Sequence, residues 1–264
     1  MTRVIVHAGF HKTGTSSLQS WLGENRAALR PHLRFYGKAN FLQAGSAARI
    51  YGQKPFPWRL RAFRRSFDRF LAGIDDDPVI VLSRETFSGA MPGHRRLLGR
   101  TVTDYAPAAI PLGREICAAL RARFGADVRI DWLFTLRERE AWIRSVYGHL
   151  LRSIHLREEF GTFRARFPGL TDLEEEARRI GAALPVDAVH TRWLEEMSGA
   201  HEGPAAAVLD LLDVPHSLRR ALPAARRANT GQSAEMEAEF LAMNRVSRDK
   251  RDLKRRKDAM LRDR

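Results

Sequence analysis

The chain has 264 residues, 44% of them hydrophobic, which suits one α/β domain with a substantial core. Its 45 lysines and arginines against 31 acids give a net charge of +14, a balance that suits an anionic partner such as a nucleotide, an acidic glycan, nucleic acid or an anionic membrane. The single cysteine, Cys117, excludes an intrachain disulfide and a cysteine-based metal cluster, and no apolar run reaches the roughly 18–20 residues needed to span a bilayer.

In chain order, Val4, Ile5 and Val6 open a buried strand. The chain enters that strand with no leader, so a cytoplasmic location is expected. A glycine-bearing loop follows, and an amphipathic helix is predicted over 16–30, with Leu18, Trp21, Leu22, Ala28 and Leu29 on one side. Residues 34–36 form a short strand candidate, which would bring the loop 37–40 near the site. Residues 58–71 place Leu60, Phe63, Phe67, Phe70 and Leu71 on one helical face, a surface helix packed on the core. An apolar strand is predicted over 78–82. Residues 90–114, rich in Gly, Pro and Arg, read as a mobile loop over the cleft. Helices are predicted over 112–124, 139–154, 158–167, 172–183 and 204–213. Strands are predicted over 131–135 and 186–190, the latter the last of the core. Alternating strands and helices predict a mainly parallel sheet covered by helices on both faces. The basic tail 246–264, counted outside the domain of residues 1–245, has almost no core-forming side chains. It reads as a solvated helix or a disordered end.

The loop between the first strand and helix reads His11-Lys12-Thr13-Gly14-Thr15-Ser16-Ser17. A phosphate fits such a place, because free N–H groups and the positive helix end face it. The hydroxyls of Thr15, Ser16 and Ser17 can add donors and cap the helix. The chain has only six lysines among its 45 basic residues, so an ammonium at position 12 points to a role unsuited to a guanidinium. Lys12 precedes Gly14, which departs from the Walker A order of glycine and lysine.

Residues 12–19, Lys-Thr-Gly-Thr-Ser-Ser-Leu-Gln, resemble instead the 5′-phosphosulfate loop of sulfotransferases, and most of all bacterial sulfotransferase-family proteins that open on this loop. Arg137 at a strand end, with Ser145 eight residues on, is similar to the family's 3′-phosphate motif. An arginine fork suits a phosphate, and a helix from 139 brings Ser145 to the same side two turns later. Ser83-Arg84-Glu85 is close to the family's Ser-Ser-Glu. Residues 229–233 and Leu241-Ala242-Met243-Asn244-Arg245 are similar to its C-terminal pattern, with Gly231 where serine is usual.

The resemblance implies a P-loop NTPase-like sulfotransferase fold and 3′-phosphoadenosine 5′-phosphosulfate (PAPS) as co-substrate, with no metal. It implies that Lys12 stabilises the leaving oxygen, that Lys12, Thr13, Gly14, Thr15, Ser16 and Ser17 hold the 5′-phosphate, and that Arg137 and Ser145 hold the 3′-phosphate. A general base is needed for the acceptor; Glu85 is the candidate, with His11 and His149 as alternatives. The acceptor, a glycan, lipid or small metabolite, stays open. So do two other classes: a P-loop kinase using ATP, and a non-catalytic basic protein binding a polyanion. Specific nucleic-acid binding is not expected, and the oligomeric state is not readable.

Overall fold

The structure is a computed structural model that describes residues 1–168, 172–226, 233–247 and 249–260. Its centre is a five-stranded, all-parallel sheet. The strands are β1 (Arg3–His7), β2 (Arg34–Tyr36), β3 (Val79–Ser83), β4 (Arg129–Leu136) and β5 (Ala188–Trp193). Their order is β2-β3-β1-β4-β5, so the first strand is central. The longer helices are α1 (Thr15–Glu24), α2 (Leu42–Gln53), α3 (Pro57–Ala72), α4 (Ala106–Phe124), α5 (Arg139–Ser153), α6 (Leu173–Gly181), α7 (Ala234–Val246) and α8 (Lys250–Met260).

Alternation along each strand sends side chains to two separate cores. Val4, Val6, Ile80, Leu82, Ile130, Trp132 and Phe134 face the core under α2–α6. Ile5, Val81 and Leu133 face the other core, with Leu18, Trp21 and Leu22 of α1 and Val208 and Leu209 beyond β5. Strands buried on both faces read as continuous apolar runs, which is why these three were visible in the sequence. β5 lies at the sheet edge, and it runs through Thr191 and Arg192 to Trp193, beyond the expected end at 190.

Four expectations need correction. The helix predicted over 16–30 is broken: α1 stops at Glu24, Asn25 leaves helical geometry, and a short turn follows at Arg26–Leu29. The stretch read as a loop over 90–114 becomes helix at Ala106, six residues before the expected helix start at 112. Pro107 sits in the first turn of α4, where no N–H is required, although Pro111 lies within the helix. The start of α4 is fixed from a distance: the buried Glu176 carboxylate accepts from the N–H groups of Tyr105 (2.7 Å) and Ala106 (2.6 Å). The helix α2 was missed. Its buried stripe is Ala44, Gly45, Ala48, Tyr51 and Gly52, small residues rather than an apolar face. A Cβ at Gly45 would run into the Arg84 guanidinium, and one at Gly52 into the backbone N of Ala90. Finally, α8 is not a free solvated helix. Leu253 and Lys257 are buried, and Lys257 Nζ donates to the carbonyl of Leu151 at the end of α5 (2.6 Å) and to Asn244 Oδ1. A lysine is a favourable partner for the last carbonyls of a helix. Among the described residues no helix is long and apolar enough to cross a membrane.

Candidate anion-binding site at the carboxyl edge of the sheet

In a parallel sheet every strand delivers its following loop to the same edge, where ligands of such folds bind. β1 pairs with both β3 and β4, so the segments starting at Ala8, Arg84 and Arg137 leave side by side. Lys12, Glu85 and Arg137 therefore share one edge. The link is direct: Arg137 Nη1 donates to the backbone carbonyl of Lys12 at 3.3 Å.

The loop 8–14 is held by an inner layer of neutral hydrogen bonds. His7 is fully buried, and its ring nitrogens contact Ser83 Oγ (2.8 Å) and Thr135 Oγ1 (3.1 Å). Burial lowers the pKa of His7 to about 4, against a smaller upward pull from Glu85, so the ring is neutral at pH 7. Thr13 is buried too: its hydroxyl donates to the Phe10 carbonyl (2.7 Å) and contacts Thr135 Oγ1 (2.8 Å). The Thr13 side chain is thus committed to shaping the loop, which leaves its backbone to face a ligand. The buried Thr15 hydroxyl turns toward the Phe10 carbonyl, at 3.5 Å.

The outer layer differs. Lys12 has φ 70 and Gly14 φ 88, so the backbone is left-handed at both, a strained choice for the lysine. A Cβ at Gly14 would sit 2.7 Å from Leu194 Cδ1. The first helical bond of α1 runs from Leu18 N to the Gly14 carbonyl (3.0 Å), and no side chain caps the helix. The N–H groups of Thr15, Ser16 and Ser17 therefore have no partner within the helix. Ser16 is exposed and Ser17 half-buried.

Around this loop the cations lack acidic partners. Lys12, Arg137 and Arg152 form no ion pair among the described residues. The Lys12 ammonium is held below the usual lysine range by burial, then by repulsion from Arg152 and Arg137. His149 is lowered to about 4, by burial first and then by Lys12, Arg152 and His94. Ser145, His149 and Arg152 follow a spacing of four and three along α5, which puts them on one helical face. Ser145 is half-buried and makes no side-chain hydrogen bond among the described residues. Fixed positive charge without an acidic partner, beside free N–H groups, is an environment that favours an anion.

Glu85 follows β3 on the same edge. Gln19 Nε2 of α1 donates to the Ser83 carbonyl (3.0 Å) and reaches Glu85 Oε2 at 3.5 Å. Arg84 lies 3.7 Å from the same carboxylate. Burial alone would raise the Glu85 carboxyl, but His11, Arg84, its own backbone N–H and Lys38 outweigh it and hold it below the usual range. It is ionised at neutral pH. His11 is neutral, lowered to about 4 by burial against the upward pull of Glu85.

Several residues of the site carried no sequence signal. Trp142 Nε1 donates to the His11 carbonyl (2.9 Å), and the Tyr105 hydroxyl accepts from the His11 N–H (3.2 Å). His7, Tyr105, Trp142, Arg152 and His94 sit far from the loop motif or look like core. Only the spacing 145–149–152 on α5 offered a clue, for Arg152. Residues 229–232 of the C-terminal pattern lie outside the described residues. Ser233 caps α7 by accepting from Met236 N (3.3 Å), and Asn244 Nδ2 donates to the carbonyls of Leu151 (3.2 Å) and Leu156 (2.7 Å), a structural tie.

A second depression, about 900 Å³, opens at the amino edge between Met1, Thr2, Asp127 and Asp187. Its carboxylates and its distance from the loop make it the weaker candidate for an anionic ligand. In comparisons with known proteins, no family model and no curated relative matches the chain.

Proposed function

We propose that the chain is a sulfotransferase of the P-loop-like fold, moving a sulfuryl group from PAPS to a hydroxyl or amine of an acceptor. The observation that carries this reading is the contact between Arg137 and the Lys12 carbonyl. It joins two loops that each suit a phosphate, on one edge, amid cations with no acidic partner. A donor with phosphates at both its 5′ and 3′ positions matches two adjoining sites better than a mononucleotide does.

In this reading the N–H groups of residues 14–17 and the hydroxyls of Ser16 and Ser17 hold the 5′-phosphate, as do the backbones of Thr13 and Thr15. Arg137 and Ser145 hold the 3′-phosphate. The acceptor oxygen or nitrogen attacks sulfur in line; the new bond forms as the bond from sulfur to the nucleotide phosphate oxygen breaks. Charge grows on that leaving oxygen, where the Lys12 ammonium is fixed in advance. The acceptor proton passes to Glu85, directly or through one water. Its carboxylate is a weak base, so alignment of the acceptor and the fixed charges supply most of the acceleration.

Titration calorimetry with adenosine 3′,5′-bisphosphate, AMP and ATP with magnesium tests the proposal. One extra charged contact pair is worth about 1.5–3 kcal/mol, so the bisphosphate should bind at least about tenfold tighter than AMP. Equal affinity for the bisphosphate and AMP would sink the reading. Preference for ATP with magnesium would point to a kinase, and absence of nucleotide binding to a polyanion-binding protein.

A further inference from the structure

Next to the phosphate loop lies a second basic cavity. It encloses about 410 Å³ between α2, the segment after Gly93, the end of α5 and α8. That volume lies at the lower end of the range for small-ligand pockets, about 300–1,000 Å³. Its basic lining is His94, Arg95, Arg152, His155, Lys254 and Lys257, with Gln53 and Ser153 as neutral polar neighbours, and no carboxylate is among the residues that line it. Arg95, Arg152 and Lys254 form no ion pair among the described residues. Lys257 is buried; its ammonium donates to neutral oxygens, the carbonyls of Leu151 and Ile154 and the side chain of Asn244, and lies over the Phe240 ring. Four cations thus converge on one cavity without a counter-charge. Arg95, Arg152 and Lys254 reach solvent, and cations gathered on one cavity without a carboxylate attract an anion.

The cavity reaches, through Arg152, the face of α5 that carries Ser145 and His149. Arg152 lines it and also repels Lys12. His94 lines it and lies close enough to both His11 and His149 to lower their pKa values. A ligand anchored there extends toward Lys12 and the His11–Glu85 side of the loop.

We propose that this cavity seats an anionic group of the acceptor, so that the sulfuryl acceptor is itself an acidic molecule carrying a carboxylate, sulfate or phosphate. The inference rests on the sulfotransferase reading, and the test separates the two. Wild-type protein and the Arg95→Ala/Lys254→Ala double variant are titrated with adenosine 3′,5′-bisphosphate. Each protein, saturated with that nucleotide, is then titrated with glucose 6-sulfate, with glucose as the uncharged control. Lys254 is exposed and neither residue enters an ion pair, so the variant should fold, with melting as the check. Nucleotide affinity should agree within about twofold between the two proteins. Glucose 6-sulfate should bind wild type at least about tenfold tighter than glucose, and the double variant should abolish the difference. Equal binding of the two sugars by wild type would overturn the proposal, as would a preference that survives in the variant. A nucleotide affinity that falls in the double variant would assign the cavity to the donor and overturn it as well. Failure of the nucleotide to bind either protein would instead remove the sulfotransferase reading, and with it the acceptor role; selective binding of the sulfated sugar would then report an anion site of another kind.

Discussion

Lys12 carries two burdens in the ligand-free protein, and removing them should raise its melting temperature. Its backbone is left-handed, with φ 70, where a Cβ costs roughly 1–2 kcal/mol. Its ammonium is less stable in the fold than in the unfolded chain, through burial and repulsion from Arg152 and Arg137. Lys12→Gly relieves both, at a cost in unfolded-chain entropy of roughly 0.5–1 kcal/mol. The backbone balance alone favours the variant by about 0–1.5 kcal/mol, and the electrostatic relief has the same sign. At about 2–4 °C per kcal/mol, the free variant should melt above wild type, by up to about 6 °C. Lys12→Met keeps the strain and loses the charge, so it should fall between the two. Adenosine 3′,5′-bisphosphate should invert the order. At 100 times its dissociation constant it adds about 2.7 kcal/mol to wild type. Loss of one charged contact, about 1.5–3 kcal/mol, weakens binding roughly 10–100-fold. The same nucleotide concentration then adds only about 0.4–1.4 kcal/mol to either variant. Differential scanning calorimetry with and without nucleotide reads both orders. A Lys12→Gly protein that melts below wild type when free, or that keeps the full nucleotide shift, would refute the reasoning.

Glu85→Gln should leave nucleotide affinity within twofold and cut transfer by about 10²–10⁴-fold, the usual worth of a positioned base; normal transfer with a lower melting temperature would make Glu85 a structural partner of Arg84. His7 has a depressed pKa in the fold, so the folded state binds fewer protons than the unfolded chain between pH 6.5 and about 4. Its contribution is complete above pH 6.5 and is lost as pH falls toward 4, about 3 kcal/mol over the full interval. Urea unfolding at pH 7.5 and pH 5 should show about 2 kcal/mol of that loss in wild type and less in His7→Gln; parallel losses would count against it. Asp131 is fully buried between Arg3 Nε (2.7 Å) and Arg129 Nε (3.0 Å). Asp131→Asn should cost about 2–4 kcal/mol, less than a wholly buried pair because both arginines reach solvent; a urea midpoint unchanged at constant slope would show that the ion pairs add nothing.

What the sequence made legible was local. β1, β3 and β4 are continuous apolar runs, and the loop between β1 and α1 carries its meaning in seven consecutive residues. Arg137 was placed correctly because a strand end is a local signal too. The rest was set by contacts distant in sequence. The start of α4 depends on Glu176, seventy residues later, and two prolines at 107 and 111 argued against a helix there. The helix α2 is held by close approach of small residues, which leaves no apolar stripe to read. Tyr105 and Trp142 look like core aromatics until their polar ends are seen to bracket the backbone of His11. In α8, the buried lysine reads as one more charge in a solvated run.

The layering of the site gives these scattered residues a common logic. Beneath the loop, His7, Thr13, Ser83 and Thr135 form a buried network with no net charge, because burial keeps the histidine neutral. A charged group in that layer would meet the cations above it in a medium of low dielectric, where repulsion is strongest. Above it, Arg137 meets the Lys12 carbonyl and Arg152 repels the Lys12 ammonium, none of the three in an ion pair among the described residues, and the flanking His11 and His149 are neutral. The positive charge of the phosphate loop and of α5 is therefore in the layer that a ligand would touch, while the buried Arg84 is matched by Glu85. The neutral layer fixes the backbone, so that Lys12 cannot relax away from its left-handed conformation or from the two arginines. A loop that served only to connect β1 to α1 would have no reason to bring a strained lysine up against two other unpaired cations. Holding them apart from any counter-charge makes sense where the missing partner is an anion supplied from outside.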